Sequence, residues 1–478
     1  MPIALVWFRN DLRLDDNPAL RAAVEGGYQP LMVHIHAPGE EGDWPPGAAS
    51  NAWRHRSLKA LDDELRARGS MLRCFHGPTQ ATLESIAAAV DAEAVFWNRR
   101  YEPVVEARDT VIKRALRRAG LRAESFNGSL LFEPWEVETA QGDPYRVFTP
   151  FWKRARGQWR APRLWQAPQQ FPALDDEDAV PHGVPLEGLH LAPRRGWDHG
   201  CWERFMPGEA GAARALSQFL QSDPRSYRDA RDIPGIDGTS RLSPHLHFGE
   251  ISVARVAHVV IDADLGDAGD AYLAQLGWRE FAHHLLHHYP HTVDADLDPR
   301  FADFPWQRPQ QGVLAAWQRG RTGVPIIDAG MRELWQTGWM HNRVRMLAAS
   351  YLTKHLRLHW RHGARWFWDT LVDADLANNT MGWQWVAGTG ADAAPYFRIF
   401  NPVLQARRFD PDAAYISRWL PELQVLPPAH RFAPWDAPAA MLKQVQGYPH
   451  APLVGIAEGR QAALDAYAQV TRKRVPKN

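Results

Sequence analysis

A chain of 478 residues with 45% hydrophobic content is long enough for two or three domains and can fill a sizeable core. Its 55 basic and 55 acidic residues cancel, so global electrostatics announce no nucleic-acid binder and any such role must rest on a local patch. Two cysteines, Cys74 and Cys201, exclude a disulfide framework and a four-cysteine cluster, and no apolar run or signal-like N-terminus indicates a membrane or secreted protein; the expectation is a cytoplasmic, metal-free monomer.

From Ile3 to about Phe132 the strand-like runs ALVWF, PLMVHIH, MLRCFHG and AVFWN alternate with helical patterns around Ser57 to Arg68, Thr82 to Val90 and Glu106 to Ala119. Such alternation predicts a Rossmann-like α/β domain over residues 1–132, with a parallel sheet and crossover helices. No GxGxxG follows the first strand, so the dinucleotide fingerprint is missing. The carboxyl ends of the strands still offer a binding edge near Arg9, Asn10 and Asn98 to Tyr101. Residues 133–200 are rich in proline, glycine and acidic side chains with little periodicity, and predict a connector that wraps the surface. Its segment PYRVFTPFWKRAR reads as a packed aromatic anchor.

Over residues 201–478 helical patterns dominate, so this part predicts an all-α domain. GTSRLSPHLHFGEIS places hydroxyls and an arginine at Thr239, Ser240, Arg241, Leu242 and Ser243, a reasonable cradle for a phosphate at a helix start. In QLGWREF, Gln275 and Trp278 lie three apart on one helical face, where the indole could stack on a base. One helix is predicted from about Pro325 to Leu356; its GWMHNRVRM sets Asn342 and Met346 four apart, while His341 reads as a structural histidine. The densest stretch is DADLANNTMGWQWVAGTGADAAPYFRIFNP, residues 373–402. Asp373 and Asp375 are too close to form a helical ion-pair rung, and Asn378 and Asn379 favour turns, so its start predicts a loop presenting polar groups, with any helix beginning later. The chain's 22 tryptophans suggest stacking surfaces or electron-carrying rings besides packing.

These motifs, in this order, resemble the flavin-binding core of the DNA photolyase and cryptochrome family. The resemblance implies a U-shaped FAD in the helical domain, held by Tyr227, Thr239 to Ser243, Gln275, Arg279, Arg345, Asp373, Asp375 and Asn379. Asn379 would face flavin N5, Asp375 the ribityl and N1 side, and Asp373 would pair with Arg345. Trp383, Trp360 and Trp306 match the family's electron-transfer chain, from the flavin to the surface. Gln275, Trp278, Asn342, Met346 and Trp385 would meet the lesion, and Arg231, Arg343, Arg398 and Arg408 the DNA backbone, arginine's fork being suited to phosphate. The implied activity is light-dependent repair of cyclobutane pyrimidine dimers in UV-damaged DNA by electron transfer from reduced FAD; the alternatives are a cryptochrome-type photoreceptor or a (6-4) photoproduct photolyase. Two departures matter. Gln275 stands where dimer photolyases commonly carry glutamate, and Asn342 and Met346 stand where animal-type (6-4) enzymes carry histidines. The α/β domain would hold a second antenna chromophore of folate or deazaflavin type, although Pro103 to Val105 lack the acidic residue that follows Tyr-Glu in folate binders. Two cysteines exclude the family's iron-sulfur variants.

Overall fold

The computed structural model describes residues 1–173, 179–310, 312–392 and 397–472; part of the 373–402 stretch, including Tyr396, and most of the basic tail lie outside the described residues. Five parallel strands, β1 (Ile3–Phe8), β2 (Gln29–His36), β3 (Arg73–His76), β4 (Ala94–Asn98) and β5 (Arg122–Phe126), form one sheet in the order β3-β2-β1-β4-β5. Central β1 is buried on both faces, as its unbroken apolar run IALVWF requires. Ala4, Val6 and Phe8 feed one core cluster and Leu5 and Trp7 the other, the period of two that a strand imposes. The crossovers are helices α1 (Pro18–Glu25), α2 (Ala48–Ala67), α3 (Thr79–Ala89) and α4 (Pro103–Arg118). Two elements went unread in the sequence. RAESF of β5 is a short edge strand with one buried residue, and eight-residue α1 is announced only by Pro18 and by Asn17, whose side chain accepts from the Leu20 N–H at 3.1 Å.

The connector is less irregular than its composition suggests. It contains α5 (Phe148–Gln158), whose aromatic face packs on the long helix that carries QLGWREF. In chain order the helical part adds α6 (Glu209–Gln221), α7 (Ser243–His247), α8 (Val253–Asp262), α9 (Asp267–His288), α10 (Pro325–Thr337), α11 (Asn342–Ser350), α12 (Trp360–Thr370), α13 (Leu376–Ala387), α14 (Pro402–Phe409) and α15 (Ile456–Arg472). Gly277 on α9 lets Trp152 of α5 lie against the backbone, since a Cβ there would sit 2.5 Å from the indole. Two expectations fail locally. The helix predicted over 325–356 is two helices, split where Gly338 takes φ 66°, and it ends in a π-helical turn at Tyr351–His355. The start of the 373–402 stretch is not a loop beyond Asp375, because α13 begins at Leu376 and contains both asparagines and GWQW.

Candidate flavin and nucleic-acid site

Asp375 explains why two poor helix formers open α13. As N-cap it accepts from Asn378 N–H at 2.8 Å and from the Asn378 amide Nδ2 at 2.6 Å, so Asn378 reinforces the first turn. Its second oxygen lies 3.5 Å from His283 Nε2 and 3.7 Å from His247 Nδ1. Burial alone would raise this carboxyl's pKa, but His283 and His247 hold it well below the usual carboxylate range. Burial likewise opposes the His283 charge, and Asp375 overrides it, so that imidazole titrates above its ordinary value. Asp373 is paired with Arg345 at 2.8 Å, and the same guanidinium donates to Met340 O at 2.7 Å, tying the turn before α11 to the start of α13. The other oxygen of Asp373 is buried without a protein partner. Asn379 donates its amide to Ala364 O at 3.0 Å, which turns its Oδ1 outward as an acceptor.

The facing wall comes from α9, on which Tyr272, Gln275, Arg279 and His283 recur at spacings of three and four. That polar stripe on a helix was visible in the sequence but read only at Gln275 and Arg279. Tyr272 packs its ring 5.1 Å from that of Tyr227 and shares a 2.8 Å hydrogen bond with Ser240 Oγ. Arg279 donates to Ser129 O at 2.7 Å. At the TSRLS segment α7 spans only five residues, so little macrodipole is available. Arg241 sits at φ 53° and is already paired with Asp237.

At the rim, Arg231 donates to Gln275 Oε1 at 2.9 Å and Arg343 to Asp232 at 2.6 Å, linking α9 and α11 through two consecutive residues. Arg343 and Arg408 both lie over the Phe409 ring, at 4.3 and 5.1 Å. Asn342 is exposed and Met346 half-buried in the first turns of α11, and Arg398 is exposed. Trp278 is not a free platform: Phe148 stacks on its ring at 3.7 Å and 10°, and Phe281 stands across it at 6.0 Å and 71°. Trp385 donates its indole N–H to Asp392 O at 3.0 Å.

The three tryptophans expected to form a relay cluster around α12 and α13. Trp383 lies 5.0 Å from Phe367, pressed onto α12 at Gly363, where a Cβ would meet the indole at 2.0 Å. Trp360 opens α12 fully buried and donates its N–H to Asp296 at 2.8 Å. The His359 ring stands 5.5 Å from Trp360 and 5.1 Å from Trp306, between the two. His247 and Asp296, brought here from distant segments, carried no signal of spacing in the sequence.

The molecule resembles known proteins along its whole length. Residues 4–173 match the family model described as DNA photolyase, and residues 272–469 that described as FAD binding domain of DNA photolyase. A deoxyribodipyrimidine photo-lyase of Agrobacterium fabrum is 42% identical, with 98% of each chain covered. The chain belongs to the DNA photolyase family. Cryptochrome-1 of Arabidopsis thaliana is 36% identical over 98% of this chain and 70% of its own length. The crystal structure of a bacterial class III photolyase from Agrobacterium tumefaciens superimposes with a TM-score of 0.94 at 41% identity, covering 99% of this chain and 98% of the other. This photolyase-family chain is an FAD enzyme, and its residues fit the cofactor: compensated buried carboxylates, a wall of hydroxyls and arginine, and the orphaned Asp373 oxygen that a donor on the ligand would satisfy. Among the described residues no helix is long and apolar enough to cross a membrane, and no metal-binding cluster occurs.

A second pocket of this family member opens at the carboxyl ends of β1 and β2, lined by Trp7, Arg9, Asn10, His34, Arg54 and Arg100 among others. Of the predicted edge, Arg9, Asn10 and Arg100 line it. Asn98 and Tyr101 do not: Asn98 donates to Asp11 at 2.6 Å and to Asn17 at 2.8 Å, and Tyr101 to Glu133 at 2.9 Å. Nitrogens of Trp7, Arg9, His34 and Arg54 are buried there without partners.

Proposed function

We propose that this protein repairs cyclobutane pyrimidine dimers in UV-damaged DNA under blue or near-UV light. The observation that carries the reading is the α9 stripe, which joins the compensated Asp375 and His283 pair to the Arg231 and Gln275 rim within one helix face. When bound, FAD supplies the absorbed light and the electron lent to the lesion. Tyr227, Ser240, Arg279 and Arg345 would hold it, Asp373 through its Arg345 partner. Asn379, locked by Ala364 O, would present an acceptor at flavin N5, and Asp375 would face the ribityl and N1 side. A flipped lesion would meet Trp278 and the neutral amide of Gln275, with Arg231, Arg343, Arg398 and Arg408 gripping phosphates. Asn342 and Met346 provide no proton shuttle, which suits ring splitting by an electron and disfavours the (6-4) photoproduct. Trp383, Trp360 and Trp306 would deliver electrons from the surface.

The α/β pocket offers N–H donors and arginines, so it suits an acceptor-rich second chromophore. The structure of an archaeal photolyase from Sulfolobus tokodaii, TM-score 0.83, is described as holding two FAD molecules and implying a light-harvesting cofactor; it is 29% identical and covers 98% of this chain and 99% of the other.

The test is photoreduced protein mixed with dimer-containing oligothymidine and illuminated with blue light. Restoration of intact thymine is expected. Intact photoreduction with no restoration would overturn the reading of dimer repair.

A further inference from the structure

Gln384, the residue after Trp383, is 2% exposed and spends its entire carboxamide on one segment. Its Oε1 accepts from Leu297 N at 2.9 Å, and its Nε2 donates to Thr292 O at 2.7 Å and to Ala295 O at 2.9 Å. Asp298 N, one residue beyond Leu297, donates to Thr389 O at 2.9 Å. The segment is therefore fastened to α13 on both sides of Asp296. What it presents is a carboxylate, accepting the indole N–H of fully buried Trp360 at 2.8 Å.

The other two relay indoles have different surroundings. Trp306 has a buried Nε1 without a partner, beside the rings of Phe304 at 4.4 Å and His359 at 5.1 Å. Trp383 packs against Phe367 at 5.0 Å and Trp317 at 6.2 Å. Of these three indoles, Trp360 is the one whose N–H is described donating to a carboxylate. An indole that has lost an electron carries positive charge shared with its N–H, and a hydrogen-bonded anion stabilises that charge more strongly in a partly desolvated site than in water.

We propose that Asp296 is a tuning residue of the electron relay, favouring the electron vacancy on Trp360 and so drawing it away from Trp383 at the first outward hop. The inference rests on the relay reading above. In that hop one electron passes from Trp360 to oxidised Trp383: Trp383 is restored, Trp360 becomes the radical cation, and Asp296 stays a carboxylate, with no bond broken. Gln384 positions the segment that makes this possible.

The experiment uses the full-length, FAD-loaded protein at mildly alkaline pH. Trp306→Phe ends the relay at Trp360; a second protein adds Asp296→Asn, which keeps an acceptor for the indole and removes only the charge. Tryptophanyl radical decay is followed by transient absorption after a flash, with FAD content and thermal melting recorded alongside. Recombination should be at least about tenfold faster in the Asn protein, because the vacancy returns more often to Trp383. Equal lifetimes in the two proteins would overturn the role of Asp296 alone. Absence of any tryptophanyl radical in Trp306→Phe would overturn the relay reading and this inference with it.

Discussion

The two pockets of this protein use the same residue types to opposite ends. In the α/β layer, burial drives His34 down to about 3 and His36 to about 4, in each case with Arg54 adding repulsion, so both rings are neutral and face a rim of arginines. In the helical domain His283 is just as deeply placed, yet Asp375 raises it. One carboxylate reverses the sign. The arginines of the α/β site are themselves paired, Arg100 with Glu41 at 2.7 Å and Arg9 with Asp109, so the contrast lies in what stands beside each histidine, Arg54 for His34 and His36 and Asp375 for His283.

Replacing residues in one pocket should leave the other intact, and the largest effect is expected at Trp383. Trp383→Phe should reduce flavin photoreduction to background while sparing repair by chemically reduced protein; photoreduction at the original rate would return Trp383 to a packing role. Arg345→Met strands the buried Asp373 charge and should cost about 3 kcal/mol of stability with marked loss of FAD, measured by chemical denaturation and flavin absorbance. Arg54→Met, in the other pocket, should lower the content of any second chromophore and leave FAD untouched. Trp278→Ala should weaken binding of dimer-containing DNA by about 1 to 3 kcal/mol in a titration, and unaltered affinity would mean the ring serves only Phe148.

The smallest effects are the most diagnostic, because their pH slopes oppose. His283 has a raised folded pKa, so its stabilisation is fully present below the unfolded value of about 6.5 and fades as pH rises through the folded value. The melting gap between wild type and His283→Gln should therefore be widest in mild acid. His34 has a depressed folded pKa, so its contribution is present above about 6.5 and is lost as pH falls toward about 3. His34→Gln should gain on wild type as the solution is acidified. Parallel slopes for the two variants would erase the contrast between the pockets.

Much of this was legible in the sequence. Short apolar runs located four strands, and the motifs from Thr239 to Asn379 supplied the residues that meet around α9 and α13. What escaped depends on distance or on local rescue. RAESF is too polar and short to announce an edge strand. Asn378 and Asn379 read as turn residues because propensity cannot foresee an N-cap, and it is Asp375 that recruits Asn378 into the helix. The break at Gly338 hid inside a pattern that stays helical on both sides. His247 and His283 meet Asp375 from segments with no common period, and the aromatic segment PYRVFTPFWKRAR gave no sign of which helix Phe148 would cover.

The seat of α5 on α9 also bears on how the chain is made. Phe148, Phe151 and Trp152 leave the ribosome well before Gly277, Trp278 and Phe281, the residues that cover them. Synthesis from the N-terminus thus completes the sheet early and leaves an aromatic face unsheltered until α9 emerges, a period in which a nascent chain is open to aggregation and to chaperones.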